Sequence, residues 1–168
     1  MSDPISSFAE MAYAELPEAE KLKRLAAYAD GFNQSATLGL FGVRIEFPDT
    51  QRVRAIIDEV RPGHRGGLGS DAINGGILAA LFDLTIGVCG ALVDPARRSA
   101  TIQLSMNFER PVTGDRITAE AHIDRAGGTN LFASAVIFDA AGEVCARGQG
   151  VVRLSRSGWA NAGSPAVN

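Results

Sequence analysis

The sequence predicts an α+β fold in which an antiparallel sheet wraps around one long central helix, with an extra helix on the N-terminal side. Three observations lead there. Two strand-like runs precede the central helix and four follow it, and the turns joining the last four are short enough to make them antiparallel neighbours. The second half of the chain alternates apolar and polar residues with the period of a strand. The helix opening at Asn74 carries Leu78, Leu81, Phe82, Leu84, Ile86 and Val88 in nearly every direction around its axis. A helix without a polar face is surrounded by protein rather than laid on a surface.

A chain of 168 residues, 46% hydrophobic and with a net charge of -3, is most simply one soluble domain with a sizeable core. It has no basic stripe or Lys-rich run of the kind that binds nucleic acid or a membrane surface. Apart from Lys21 and Lys23 every cation is Arg, which suits recognition of phosphates and follows equally from a bias in codon usage. Cys89 and Cys145 lack metal-ligand spacing and read as the reduced thiols of a cytoplasmic protein. The first residues show neither the basic nor the apolar segment of a signal peptide. The run from Gly75 to Leu92 approaches the length of a membrane span, but Asp83, Gly87 and Gly90 inside it argue against one.

Taken in order, residues 1–15 have weak helical character through Phe8, Met11 and Ala12. Pro17 opens a firmer helix, with Glu18 and Glu20 in its first turn and Leu22, Leu25, Ala26 and Ala29 on one face, closing near Gly31. It reads as a cover without chemistry of its own. Residues 35–42 read as a connector. Val43 to Phe47 and Arg52 to Val60 are the first two strands, and the glycine-rich loop over 61–73 is long enough to line a site. After the central helix, Ile102, Leu104, Met106 and Phe108 alternate strictly with Thr101, Gln103, Ser105 and Asn107, which predicts opposite faces of one strand. Ile117 to Ile123, Leu131 to Phe138 and Val144 to Leu154 complete the sheet. The strand from Leu131 is apolar on both faces and is expected to be buried on both. The expected division is an N-terminal helical extension over 1–40, the wrapped-sheet domain over 41–155 and a flexible tail over 156–168.

Chemistry concentrates in the central helix. Asn74 is a good N-cap, and Gly75 and Gly76 leave the first backbone amides with no side chain between them and a ligand. Asp83 interrupts the apolar sequence. An unpaired carboxylate buried there would cost several kcal/mol, so it either has a partner or reaches a polar pocket. Both alternatives point to a site.

These residues resemble the hotdog-fold acyl-CoA thioesterases of the phenylacetic-acid-degradation type, over about Val43 to Leu154. The anchors are Gly75-Gly76 at the helix start, the acid at Asp83, Thr101 in the next strand, the Phe-x-x-Pro of Phe108 to Pro111, and Gly114-Asp115. Two departures stand out. Members of that family commonly have His where this chain has Asn74, and an Asn in the preceding loop where this chain has Gly66 and Gly67; His64 and Asp71 lie close by in sequence.

The resemblance implies hydrolysis of an acyl-CoA to the free acid and coenzyme A, at a site between the subunits of a homodimer or a homotetrameric dimer of dimers. It implies no cofactor beyond the coenzyme A of the substrate, no metal, and no nucleic-acid or membrane partner. The chemistry fits the residues. The amides of Gly75 and Gly76 would hold the oxyanion, Asp83 would act as base or nucleophile, and Thr101 would help place the water. Asn74, His64, Gly67, Arg97, Arg98 and Arg110 are the candidate substrate contacts, the arginines through the phosphates of coenzyme A. Asp83 lies seven residues beyond Gly76, roughly 10 Å along the axis at about 1.5 Å per residue, so one helix cannot set its own acid beside its own amides. Two helices paired about a two-fold axis can. The competing readings are a dehydratase or hydratase of acyl thioesters, which would need a His beside the acid, and a non-catalytic acyl-CoA or lipid-binding protein.

Overall fold

The computed structural model describes residues 11–67 and 69–158. Most of the weakly helical N-terminal stretch, and the tail beyond Gly158, lie outside these; the described part of the former holds a single 3-10 turn, Tyr13–Glu15. Helix α1 spans Glu18–Phe32 and a short α2 spans Ala36–Phe41. The connector expected over 35–42 is therefore helical. Ser35 caps α2 by accepting from the Leu38 N–H, and Gly42 closes it with φ 62°, a left-handed conformation that glycine adopts without strain.

Strands β1 (Val43–Glu46) and β2 (Arg52–Ile57) come next. The central helix follows as α3 (Gly75–Val88) with a short continuation, α4 (Gly90–Val93). Then come β3 (Arg97–Phe108), β4 (Ile117–Gly127), β5 (Asn130–Phe138) and β6 (Val144–Gly158). All six strands form one antiparallel sheet in the order β1-β2-β4-β5-β6-β3. The expected architecture is present: a curled sheet around a long helix.

The sheet closes on α3 because the middle of its inner face is made of small residues. Register runs Val53–Ala121–Ala135–Gly148–Met106 across five strands, and the next row runs Ala133–Gly150–Leu104. Large side chains sit at the flanks and Ala or Gly in the centre, which makes a trough. Leu81, Phe82 and Ile86 of α3, each with no exposed surface, fill it. The approach is close: a Cβ on Gly148 would stand 2.8 Å from the Phe82 ring, and one on Gly150 would stand 3.0 Å from Ile86 Cγ2. The stretch Gly75–Val93 is long and apolar enough to cross a membrane by length and composition, and in this fold it is the core helix.

Two sequence expectations about packing are corrected. Strand β5 is buried on one face only: Leu131, Ala133, Ala135 and Ile137 point inward, and Phe132 is exposed under the Arg125 guanidinium, 4.8 Å from its ring centroid. Apolar residues on an outer face cost little when long side chains cover them. Nor is α3 enclosed all round within the chain. Its stripe through Gly76, Ala79, Ala80, Asp83 and Gly87 stays wholly or partly open. Those positions recur every three or four residues, so they form one continuous face.

Both cysteines are free and buried. Burial, helped by the charge of Asp124, pushes the Cys89 thiol up to about 12. Fully buried Phe82 has nowhere to move, so Gly148→Ala is expected to destabilise the fold by about 1–3 kcal/mol, the scale of core overpacking. Denaturant melts of Gly148→Ala, alone and combined with Phe82→Leu, test this: the smaller partner should recover part of the loss, and additive losses would show that the ring is not what the methyl meets.

Candidate active site

The site starts at the N-terminus of α3. Asn74 adopts the extended backbone of an N-cap, and its Oδ1 accepts the Gly76 N–H at 2.8 Å. The two glycine amides therefore differ. The Gly76 N–H is taken by the cap, whereas the Gly75 N–H donates to no acceptor among the described residues. Gly75 is exposed, and a Cβ there would meet only the Phe108 ring, at 3.7 Å. Of the two bare amides expected from sequence, the open one is the first.

The loop before the helix is held by backbone and by His64. The Asn74 N–H donates to the His64 carbonyl at 2.8 Å, and the Ile73 N–H donates to the Val112 carbonyl at 2.9 Å. His64 is only 4% exposed; its Nδ1 accepts the Arg61 N–H at 3.0 Å, and its ring also bonds the Phe41 backbone. Burial, and then the charge of Arg61, lower its pKa. His64 thus fixes the loop that presents Asn74, and the structure does not bring it to the cavity described below. Gly67 sits on the same loop with φ 76°, a conformation that favours glycine, and likewise lies apart from that cavity.

Asp83 lies two turns further along α3, on the open stripe. It is exposed, and its carboxylate has no hydrogen-bond or ion-pair partner among the described residues. Neither alternative expected from the sequence describes it: the carboxylate is not buried within this chain, and the pocket it borders is lined mainly by apolar residues. That pocket, of about 700 Å3, has Asp83, Leu84, Gly87 and Val88 on one side and Ser99 and Thr101 of β3 beside them. Its volume is in the range of small-molecule sites.

Thr101 arrives there by a device the alternation pattern hid. Ladder register shifts between Thr101 and Gln103, where Thr101 pairs with Val152 and Gln103 with Val151. Ile102 is the extra residue of a β-bulge, 58% exposed, and the faces swap at that point. Thr101 therefore shares the inner side with Leu104 and Met106, opposite to the strict alternation expected. Its Oγ1 would stand 3.1 Å from a Cβ on Gly87, so the glycine makes room for the hydroxyl.

The opposite wall is the element that the sequence left without chemistry. Ala27, Tyr28, Gly31 and Phe32 of α1 line the cavity. The apolar run Leu25, Ala26, Ala29 pointed to a buried face of that helix but not to what lay beyond its edge. Of the candidate phosphate contacts, Arg97 donates through Nε and a second guanidinium nitrogen to the Ser155 carbonyl, the first bond at 2.7 Å. Arg98 is exposed on β3, and Arg110 pairs with Glu143 at 3.5 Å near the chain's surface. None of the three lines the cavity.

Comparisons with known proteins follow the same lines. The family model described as the thioesterase superfamily matches residues 71–146, from the loop before α3 into β6. No curated protein matches the sequence. Among solved structures, the PaaI protein of the Escherichia coli phenylacetic-acid degradation operon superposes with a TM-score of 0.70 at 18% identity, covering 84% of this chain and 98% of its own. A thioesterase of Haemophilus influenzae gives a TM-score of 0.68 at 16% identity, over 78% of this chain and 90% of its own. The S. sahachiroi protein AziG gives 0.62 at 25% identity, over 71% and 95%.

The cap bond makes a prediction independent of activity. Asn74→Ala should lower stability by about 1 kcal/mol, and Asn74→Asp, which keeps the acceptor at the positive helix end, should not. Equal losses in thermal or denaturant melts would mean that the cap bond contributes nothing. The architecture is that of the hotdog fold, and within it residues 71–146 match the thioesterase-superfamily model.

Proposed function

We propose that this protein hydrolyses an acyl-CoA thioester to the free acid and coenzyme A, at a site shared between two subunits. The observation that carries the reading is the meeting of Asp83 and Thr101 on one largely apolar cavity, with an unpartnered carboxylate at its edge. The matched family and the thioesterase-named structural relatives support thioester chemistry in general. The open Gly75 N–H at a helix N-terminus supplies a donor for the charge that develops on the carbonyl oxygen.

The division between subunits rests on distance. Gly75 and Asp83 are separated along one helix by roughly 12 Å at about 1.5 Å per residue, too far to serve one carbonyl. Asp83 lies on the open stripe of α3 and Gly75 is exposed at the N-terminal end of the same helix, while β3, carrying exposed Ile102 and Phe108, is a free edge of the sheet. Two copies related by a two-fold axis can lay stripe on stripe and set the acid of one beside the amide of the other. In the proposed reaction Asp83 takes a proton from a water held with the help of Thr101. The hydroxide adds to the thioester carbon, the oxyanion rests on the Gly75 N–H, and collapse expels the thiolate, which recovers the proton. Direct attack by Asp83 is the variant of this scheme: the carboxylate oxygen bonds the acyl carbon, the thiolate leaves, and water hydrolyses the resulting mixed anhydride, leaving solvent oxygen in the carboxylate where it attacks the aspartyl carbon. A dehydratase or hydratase is disfavoured, since His64 is occupied in its loop and does not line the cavity.

Asp83→Asn should leave a folded protein whose kcat on its best acyl-CoA falls by about 10²-fold or more, the scale for losing a general base. Gly75→Val should be similarly impaired by crowding at the amide. Mixing equal amounts of the two folded, inactive proteins should restore about a quarter of the wild-type sites, because random exchange makes about half of the dimers heterodimers and one of the two sites in each keeps both its acid and its open amide. No recovery after subunit exchange, verified by mass spectrometry, would overturn the shared site; no thiol release by the wild type from any acyl-CoA would overturn the reaction.

A further inference from the structure

We infer that helix α1 is the specificity wall of this site, and that the group it receives is an uncharged, apolar acyl chain. The acyl nature of the group rests on the thioesterase reading, and the wall on geometry alone. Asp83 and Thr101 mark one side of the cavity, and α1 closes the other with Tyr28, Gly31 and Phe32. Between them the lining is mostly apolar. Among the described residues Asp83 is the only charged one in that lining, and none of them is a cation that could pair with a carboxylate at the far end of a chain.

A wall selects only if it holds its place, and α1 is fixed at its middle and at its C-terminal end. Leu25 is fully buried in a cluster with Tyr13, Leu16 and Ala91. At the C-terminal end Asn33 grips β1 in both directions: its Nδ2 donates to the Ile45 carbonyl at 2.9 Å, and its Oδ1 accepts the Ile45 N–H at 2.7 Å. The rings on the wall support one another, with Tyr28 5.8 Å from Phe32 and edge-on to Phe47 at 6.1 Å between centroids. Gly31 is the gap in that wall. A Cβ there would meet nothing within 4 Å, so a larger side chain takes up cavity space without displacing protein.

The test uses S-alkyl thioethers of coenzyme A with short, medium and long chains. They cannot be hydrolysed, so their binding reads the wall apart from turnover. For the wild type, affinity should rise with chain length, and a thioether ending in a carboxylate should bind more weakly than its methyl-ended counterpart. Gly31→Leu should lower the ratio of long-chain to short-chain affinity by about tenfold or more, the effect of excluding one or two carbons from an apolar pocket. Phe32→Ala should shift the ratio the other way. Circular dichroism establishes that each variant is folded, and either one suffices if the other is not. Folded variants whose chain-length profile overlays that of the wild type would overturn the inference, as would equal binding of the carboxylate-ended thioether. If thioethers respond as described while no acyl-CoA is hydrolysed, the wall stands and the thioesterase reading falls.

Discussion

The depth of the trough into which α3 settles governs the rest of the molecule. Ala121, Ala135 and Gly148 in one row, and Ala133 and Gly150 in the next, bring the helix close enough for Phe82 to pack directly against the backbone of β6. A sheet with Val or Leu at those positions would hold the helix farther off and lose dispersion contact along its length. The flanking Val53, Leu104 and Met106 then reach around the sides. The small residues thus give the sheet its grip on the helix, and they orient the helix as well, since only its Leu81–Phe82–Ile86 face fits the groove.

That orientation decides what the other face can do. With one side pressed into the middle of the sheet, the stripe from Gly76 through Asp83 to Gly87 is left partly open and meets the edge strand β3 at Gly87, and the only acid of the helix lies on that stripe. The cap adds a second constraint. By accepting the Gly76 N–H, Asn74 satisfies one orphan donor and leaves the Gly75 N–H as the open one, so helix stability and the proposed oxyanion site draw on neighbouring amides without competing. The bulge at Ile102 supplies the third. Without the extra residue, Thr101 would lie opposite the face of Leu104 and Met106; with it, the hydroxyl turns toward Gly87 and the cavity.

Helix α1 ties a peripheral element to the site. Its Leu25 face belongs to a small core of its own with Tyr13, Leu16 and Ala91, while its Tyr28–Phe32 edge overlooks Asp83 across the cavity. The helix thus has a buried face that belongs to the core and an edge that shapes the cavity.

The sequence by itself determined the kind and order of the elements, the antiparallel sheet, the cap at Asn74 and the singular position of Asp83. These are local properties, legible because periodicity, capping chemistry and an acid in an apolar run are written in neighbouring residues. The hydrophobic pattern could not reveal which side of α3 would stay open, because nearly every side of it is apolar; the Ala and Gly rows of three distant strands decided that. The same limit applied to β5, whose second face leaves Phe132 exposed under the Arg125 guanidinium, and to β3, where one extra residue reversed the alternation. His64 reads from sequence as one more polar loop residue, and only tertiary packing engages it with Arg61 and Phe41 and keeps it from the cavity. The cavity itself brings residues 27–32, 83–88 and 99–101 together. Contacts across such separations arise from packing after the chain has closed, and no local pattern in α1 announces the acid it will face.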